Sequence, residues 1–421
     1  MTVHRVRRVA VIVLLLGLLA LQASAQGFFF RDGDDPIVFL GDSITEQHMY
    51  TTYVETYILT RFPEWKVRFR NVGWGGDTAW LARRGDFAGG LQRDILTLKP
   101  AAITIDFGMN DARGGDGTLP LYVEHQTKLV EALQAAGARV ALLTPSPEER
   151  FEPDQPAGSA YNHMLWKYSE ALRQVAEQPG VLWVDQYTPF VQVIEDGRRA
   201  GLPDFRLIPD AVHPNWAGHL VMAHAILRGL GAPSLVSSVE IAFAGGVLVG
   251  AQGCEVRDVR VADGAVSFTR VDHCLPWPIP VEADAVLNVP GYDPLGELSA
   301  YTLQIRGLPA AKYELAVDGE TCAAFTAEEL DRGVNLTRYA GAITAQALRL
   351  RDAVLAKNWT FFGRWRQVQL FDFPAWLNTP DNQALRQQEL DRLDAQVADQ
   401  ERAVDALRVT TPHQFTVKPV A

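Results

Sequence analysis

Apolar and polar positions follow different periods in the two halves of the chain. Up to about residue 230, short apolar runs such as residues 37–40 and 101–105 alternate with longer segments of helical character. Runs of this length are typical of strands, and their alternation with helices predicts an open, parallel α/β sheet. We therefore expect the first domain, residues 30–232, to belong to the α/β class.

The region after residue 235 changes to the two-residue period of half-buried strands. Two Asp-Gly pairs, at residues 263–264 and 318–319, are favoured turns between the strands of a hairpin. This pattern predicts a β-sandwich-like accessory domain over residues 235–326. Its predicted strands cover residues 239–243, 247–249, 256–261, 266–271, 301–305, 313–317 and 322–325.

Residues 327–421 are predicted to form a helical C-terminal extension, because the stretches 340–357 and 380–407 are rich in helix-forming residues. The second stretch has an apolar stripe with 3-4 spacing that is too short for a coiled coil. We expect this helix to pack against the body of the protein, and a homodimer through it is the alternative. The stripe consists of Leu390, Leu393, Val397, Val404 and Leu407, with Gln400 in the gap.

The overall charge of the chain makes some classes of binding partner unfavourable. The chain carries a formal net charge of −11. An acidic surface binds nucleic acid and anionic lipid poorly. We therefore expect no nucleic-acid partner, no membrane partner for the mature chain, and a tendency towards neutral rather than polyanionic ligands.

The N-terminus has the three parts of a secretory signal peptide. Arg5, Arg7 and Arg8 precede a continuous apolar run over residues 9–21, and the small residues Ala23-Ser24-Ala25 follow it. The run is too short to cross a bilayer comfortably. These features predict a signal peptide over residues 1–25, cleavage after Ala25, and a secreted or periplasmic mature protein.

The three cysteines fit an oxidising compartment if two of them pair. Cys254 and Cys274 flank the hairpin that turns at Asp263-Gly264. In the simplest register Cys254 falls one residue short of Cys274, so their disulfide, which we expect, requires a β-bulge. Cys322 would remain as a buried, inert thiol.

Four polar segments follow predicted strands or precede the last helix of the first domain. The carboxyl ends of parallel strands meet at one edge of a sheet, where sites assemble. The segments are Gly41-Asp42-Ser43-Ile44-Thr45-Glu46, residues 71–78, residues 106–111 and Asp210-Ala211-Val212-His213-Pro214.

These four ordered segments resemble the SGNH hydrolases, also called the GDSL family of esterases and lipases. The resemblance covers residues 37–230 and implies a three-layer, flavodoxin-like parallel sheet. It also implies ester hydrolysis. A Gly-x-Ser-x-Gly elbow around Ser43 is absent, which argues against the α/β-hydrolase fold.

The resemblance implies a role for each motif residue. Ser43 is the expected nucleophile, His213 its general base, and Asp210 the group that orients the imidazole. The oxyanion donors would be the backbone N–H groups of Ser43 and Gly76 and the side-chain amide of Asn110. These residue types also suit the chemistry on their own, since imidazole titrates near neutrality and glycine lets a substrate approach the backbone closely.

Further residues are candidates for substrate binding. Asp42 and Trp74 lie within the motifs, and Arg364 and Arg366 lie in an aromatic segment, residues 359–366, between the two C-terminal helices. This segment is either a hydrophobic plug that docks the extension onto the first domain or one wall of the substrate cleft. We favour the plug as the role of the tryptophans. A position in the substrate cleft remains the alternative for Arg364 or Arg366.

No cofactor or metal is expected, because the other histidines lack metal-ligand spacing and acyl transfer to serine needs neither. The sequence therefore predicts an exported serine esterase that forms an acyl-enzyme and removes acetyl groups from polysaccharides or oligosaccharides. A broader lipase, thioesterase or arylesterase is the alternative enzyme. A non-catalytic glycan-binding protein is the alternative outside enzymes, against which the intact Ser43, Asp210 and His213 argue.

Overall fold

The computed structural model describes residues 27–150, 159–202 and 205–420. The predicted signal peptide, residues 1–25, lies outside this part of the chain. Among the described residues, no helix is both long enough and apolar enough to cross a membrane.

The first domain is built on one sheet of five parallel strands. These are β1 (Ile37–Gly41), β2 (Phe69–Asn71), β3 (Ala102–Asp106), β4 (Arg139–Leu143) and β5 (Val181–Val184). Their order across the sheet is β2-β1-β3-β4-β5, the flavodoxin-like order that the family resemblance implies. All residues of β1 and β3 are buried, which explains why both read as continuous apolar runs.

Helices flank this sheet and complete the expected α/β architecture. They are α1 (Ser43–Glu46), α2 (Met49–Arg61), α3 (Phe87–Asp94), α4 (Leu119–Ala135), α5 (Ala160–Val175), α6 (Tyr187–Arg199) and α7 (Trp216–Gly229). Helix α2 is buried at every position from Tyr50 to Arg61. A helix that is buried all round is a core helix, and α2 packs both on α7 and on the C-terminal part of the chain.

Two further sheets form the second region. Their strands are β6 (Leu235–Ala242), β7 (Val247–Gln252), β8 (Cys254–Ala262), β9 (Ala265–Asp272), β10 (Ala300–Arg306), β11 (Lys312–Val317), β12 (Glu320–Thr326), β13 (Val334–Asn335) and β14 (His413–Pro419). One sheet has the order β13-β10-β6-β7 and the other has the order β12-β11-β14-β9-β8. Each of the seven strands predicted between residues 239 and 325 is present.

The two sheets of the second region face each other, as a sandwich-like arrangement requires. The buried Arg270 of β9 donates to the hydroxyl of Ser237 on β6 and to Asp272, 2.8 Å away on its own strand. The Tyr301 hydroxyl of β10 donates to Asp272 at 2.7 Å. A buried guanidinium thus has its partners on both sheets, which avoids the cost of an unpaired charge in the core.

Strand β14 lies in the middle of its sheet, between β11 and β9. A helical extension that runs to residue 421 does not describe these residues. The Phe415 ring stacks on Phe268 at 5.2 Å, and Val417 is fully buried. The chain therefore leaves the second region after β13 and returns to it with its last described strand.

The excursion between β13 and β14 is helical, as predicted. The helices outside the first domain are α8 (Asp284–Leu287), α9 (Pro294–Leu298), α10 (Ala327–Arg332), α11 (Ala342–Phe362) and α12 (Pro380–Leu407). A wider π-helical segment, Gly363–Gln369, continues α11.

Helix α12 buries most of its apolar stripe within the chain, against α11. Its acidic face reaches the edge strand β2 of the first domain. Glu401 pairs with Arg70 at 2.8 Å, and Asp405 pairs with Arg68 at 2.8 Å. The helix therefore packs against the body of the protein, and a homodimer through it stays a prediction.

The expected Cys254–Cys274 disulfide is not formed, and both thiols are free. The bulge that we expected does occur, between Arg257 and Arg260, but it places Cys254 opposite Asp272. The Cys254 thiol donates to the carbonyl of Ser238 and the Cys274 thiol to that of Val236, each at 3.7 Å. Two residues along a strand correspond to about 6.6 Å, so the two sulfurs hydrogen-bond at separate points of β6.

Candidate active site

Ser43 lies at the first position of α1, directly after β1. Asp42 caps this short helix, and its side chain accepts from the Ile44 N–H at 2.9 Å. A Cβ on Gly41 would lie 2.1 Å from Thr45 Oγ1 and 2.7 Å from the Asp106 carbonyl oxygen, so only glycine fits this tight strand-to-helix turn. The turn presents the serine hydroxyl at the carboxyl edge of the sheet.

The Ser43, His213 and Asp210 side chains form a continuous chain of short contacts. His213 Nε2 lies 2.8 Å from Ser43 Oγ, and His213 Nδ1 lies 2.7 Å from Asp210 Oδ2. Both distances are within hydrogen-bond range. The three residues that the sequence predicts as a triad therefore come together in the order that base catalysis requires.

Hydrogen bonds keep Asp210 in its ionised form. Its burial alone would raise the pKa, but it accepts from the backbone N–H groups of His213 and Val212 at 2.7 and 2.9 Å and from the His213 ring. Together these bonds lower the pKa of Asp210 to about 2. The carboxylate thus stays available to the imidazole N–H across the neutral pH range.

The loop that carries Asp210 and His213 is held by Glu149, which the sequence analysis did not identify. The buried Glu149 carboxylate accepts from the N–H groups of Leu207 and Ile208, each at 2.8 Å, and pairs with Arg198. Its own N–H donates to the Ala211 carbonyl at 3.0 Å. No local pattern around Glu149 indicates this role, because all its partners lie about 50 to 60 residues further along the chain.

Two backbone donors point to an oxyanion site. Among the described residues, the N–H groups of Ser43 and Gly76 have no hydrogen-bond acceptor. Gly76 has a φ of +73° in a turn closed by the bond from the Asp77 N–H to the Trp74 carbonyl at 3.0 Å. A β-turn with positive φ at its third residue favours glycine. A Cβ on Gly75 would lie 3.8 Å from Ser43 Cβ, so this turn lies against the nucleophile.

Asn110, the third predicted donor, also reaches this turn. Its Nδ2 donates to the Asp77 carbonyl at 2.9 Å and lies 3.4 Å from Asp42 Oδ2. The long second contact is weak, which leaves this N–H available to a stronger acceptor beside Ser43.

Asp42, a candidate for substrate binding, has a buried side chain whose oxygens contact groups of the protein itself. Burial raises the pKa of its carboxyl well above the usual range, and the charge of Asp106 raises it further. Its contacts are with Ile44 and Asn110. Asp42 therefore helps to position the residues around Ser43 through its contacts with Ile44 and Asn110.

Two more carboxyls lie buried beneath the site. Burial raises the pKa of Asp106 to about 7, although a hydrogen bond from the Gln186 amide opposes the shift. Burial likewise raises the pKa of Asp111 to about 7, against the hydrogen bond from the Ala79 N–H. Near neutral pH both groups therefore divide between a neutral and an ionised form.

A buried ion-pair cluster anchors the turn that contains Gly76. The Arg84 guanidinium contacts Asp77 at 2.7 Å and Asp94 at 3.4 Å, and all three side chains are fully buried. Arg84 also donates to the Val72 carbonyl at 2.7 Å, just before the turn. Buried charges are tolerated when they are paired and hydrogen-bonded in this way.

The C-terminal aromatic segment packs onto this cluster. Trp365 is 2% exposed, lies edge-on to Trp74 at 5.9 Å, and its indole N–H points to Asp94 Oδ1 at 3.4 Å. The Arg366 guanidinium lies over the Trp74 ring at 3.5 Å. Trp365 thus acts as a plug, whereas Arg366 reaches the active-site turn.

Two other side chains of this segment, Arg364 and Trp359, lie elsewhere. Arg364 pairs with Asp394 of α12, with N–O distances of 2.8 and 3.0 Å, and takes no part in the site. Trp359 is 47% exposed and packs against the His48 ring at 4.5 Å.

Comparisons with known proteins agree with this geometry. Residues 39–221 match the model of the GDSL-like lipase/acylhydrolase family. An acetylxylan esterase of Geobacillus stearothermophilus is 27% identical over 223 residues, which cover 47% of this chain and 94% of that protein. The solved structure of a gut microbial diltiazem-metabolizing enzyme covers 93% of this chain and 98% of its own, with a TM-score of 0.72 and 22% identity. This last likeness shows that the arrangement of both regions, including the helical excursion, occurs in another protein.

Proposed function

Because residues 39–221 form a GDSL-like, SGNH-type hydrolase domain, we propose that this protein is a serine esterase that removes acetyl groups from polysaccharides or oligosaccharides. The chain of contacts from Asp210 through His213 to Ser43 is the observation that carries the proposal. The acetyl-glycan substrate class is supported by the similarity to an acetylxylan esterase.

In the first step, Ser43 Oγ attacks the acetyl carbonyl carbon while His213 Nε2 takes the hydroxyl proton. The carbonyl oxygen becomes an oxyanion and accepts from the N–H groups of Ser43 and Gly76 and from Asn110. When this intermediate collapses, the bond to the sugar oxygen breaks, and His213 returns its proton to that oxygen. The products are a free sugar hydroxyl and an acetyl group bonded to Ser43.

In the second step, water replaces the sugar. His213 takes one water proton while the water oxygen attacks the acetyl carbon, and the same donors hold the second oxyanion. The bond between the acetyl carbon and Ser43 Oγ then breaks, and His213 returns the proton to the serine. Asp210 stabilises the imidazolium form of His213 in both steps, since its carboxylate lies 2.7 Å from Nδ1.

Export, the other part of this proposal, is supported by the basic and apolar N-terminal sequence.

Acetate release tests the proposal directly. We expect the wild-type enzyme to release acetate from acetylated xylo-oligosaccharides and to hydrolyse p-nitrophenyl acetate much faster than p-nitrophenyl octanoate. A fluorophosphonate probe should label Ser43, and Ser43→Ala should abolish labelling while the protein stays folded. Preference for the octanoate would indicate a lipase, and full folding with no ester hydrolysis would indicate a binding protein.

A further inference from the structure

Two guanidinium groups lie beside the oxyanion turn. Arg366, from the π-helical segment after α11, lies over the Trp74 ring at 3.5 Å. Arg83 lies next to Gly76, because a Cβ on Gly76 would be 3.9 Å from Arg83 Cδ and 4.0 Å from its Nε. Trp74 and Gly76 are two residues apart, so their Cα atoms are separated by at most about 7 Å. Both charges therefore lie close to the point where Ser43 acts.

Among the described residues Arg83 forms no ion pair, and Arg366 forms only a long one, with Glu46. The side chains of Arg83 and Arg366 donate no hydrogen bond to any described residue, although Arg366 Nε lies 3.9 Å from Glu46 Oε1. The other oxygen of Glu46 already accepts from the Gly75 N–H at 2.9 Å. The contrast with Arg84 is sharp, since its guanidinium contacts two carboxylates.

The like charges are close enough to affect one another. Burial lowers the pKa of Arg366, the Glu46 carboxylate opposes this shift, and the charges of Arg84 and Arg83 lower the pKa further. Arginine nevertheless stays protonated at physiological pH. Both guanidinium groups thus keep unused N–H donors beside the oxyanion turn, and a bound anion could accept from them.

Resting on the proposed esterase function, we propose that Arg83 and Arg366 bind the carboxylate of a uronic acid in the substrate. The preferred substrate is then an acetylated oligosaccharide that contains uronic acid beside the acetylated sugar. A planar carboxylate matches the fork of a guanidinium better than a hydroxyl does. This local arrangement outweighs the preference for neutral ligands that the overall acidic charge suggests.

The test compares two substrates that differ only in charge. One is an acetylated oligosaccharide with a uronic acid, and the other is the same compound with a neutral uronamide in place of the carboxylate. Acetate release gives kcat/KM for each. We expect the wild-type enzyme to favour the acid roughly tenfold at low ionic strength, and the ratio to fall as salt screens the charges.

Variants assign this preference to the two arginines. Arg366→Gln and Arg83→Gln should each lower the acid-to-amide ratio roughly fivefold, mainly through KM for the acid. Arg366→Lys keeps the charge but loses the planar fork. Its acid-to-amide ratio should lie between the ratios of the wild type and of Arg366→Gln. Arg349→Gln is the matched control, because Arg349 is exposed and lies on α11 about 25 Å away along the helix. Its ratio should stay within about twofold of wild type.

The outcomes separate this inference from the function on which it rests. Equal kcat/KM for acid and amide in the wild type, with acetate released from both, would overturn the uronate site and leave the esterase function intact. A ratio lowered as much by Arg349→Gln as by Arg366→Gln would also overturn it. Hydrolysis of p-nitrophenyl acetate without acetate release from either oligosaccharide would overturn the proposed substrate class and the uronate site together.

Discussion

Two loops meet at Ser43, and they are held in place by different parts of the chain. The loop with Asp210 and His213 is held within the first domain by the buried carboxylate of Glu149. The turn with Gly76 is held by the Arg84 cluster, and that cluster is covered by Trp365 from the C-terminal excursion. The general base therefore depends on its own domain, whereas the oxyanion turn also depends on residues almost 300 positions further along.

This difference suggests a division of roles between the regions. A domain of about 200 residues can position a nucleophile and its base. Here, however, the ion-pair cluster behind the oxyanion turn is also covered by the helical excursion, which comes from the second region. We expect changes in the first domain to affect the chemical step most strongly. Changes in the excursion should act on the shape and charge of the oxyanion turn.

The largest effect should follow from removal of the base. His213→Ala should lower kcat by roughly 10⁴–10⁶-fold, because Ser43 then has no group to accept its proton. Hydrolysis of p-nitrophenyl acetate measures this loss. His163→Ala removes an exposed histidine of α5 and should leave the rate within about twofold of wild type. A loss below about tenfold for His213→Ala would assign the base to another group.

A smaller effect should follow from loss of a donor on the oxyanion side. Asn110→Ala should lower kcat by roughly 10²–10³-fold with little change in KM, since the amide acts mainly in the transition state. The control is Asn288→Ala, which removes an exposed amide of the second region that donates to the Asp284 carbonyl. A raised KM at unchanged kcat would make Asn110 a ground-state binding residue.

The dependence of the oxyanion turn on the excursion can be tested with two buried tryptophans. Trp365→Phe and Trp277→Phe should each destabilise the protein by about 1–3 kcal/mol, because each leaves a void. Trp277 is fully buried against α2, where its indole N–H donates to the Tyr53 carbonyl at 3.0 Å. Only Trp365→Phe should also lower kcat, by roughly tenfold, since it loosens the turn that carries Gly76. Equal kcat values for the two folded variants would show that the excursion only adds stability.

The last effect concerns the pH dependence of stability and not the rate of reaction. Asp106 has a pKa of about 7 in the folded protein against an ordinary value of 3.8, so the folded state holds a proton that the unfolded chain releases between these pH values. The stability that this proton contributes is full below about pH 4 and is lost as pH rises towards 7, by at most about 1.4 kcal/mol per pH unit.

Asp106→Asn should therefore flatten the fall in Tm between pH 5 and pH 8, and thermal unfolding at several pH values measures this. Asp263→Asn, in the exposed turn between β8 and β9, removes one charge as well and should keep the wild-type slope. An unchanged slope in Asp106→Asn would show that the buried carboxyl does not titrate in this range.

The sequence was sufficient to predict what depends on local patterns. Strands β1 and β3 are predictable because both are buried throughout. Ser43, Asp210 and His213 are predictable because they lie in short motifs that resemble those of a known family. The supports of the site were not predicted. Glu149 holds residues about 60 positions away, and Trp365 reaches Asp94 across 271 positions. Contacts between residues so far apart in the sequence leave no periodic pattern from which they could be predicted.

Two predictions failed or were incomplete for related reasons. The alternation of Phe415 and Val417, both fully buried, is the signal that could have revealed β14, but the segment is short and follows a long helix. The disulfide depended on a register that only the assembled sheet defines. The bulge in β8 shifts Cys254 to face Asp272.

The position of β14 has a consequence for how the protein is made. Residues 413–419 follow every other strand of their sheet in the chain, yet they form its middle. While the chain is still being synthesised, β11 and β9 have no common partner, and the sheet stays divided into two hairpins. Closure of the sheet must wait until residue 419 has left the ribosome. The second region would therefore complete its packing only at the end of synthesis, whereas every strand of the first domain's sheet has been made by residue 184.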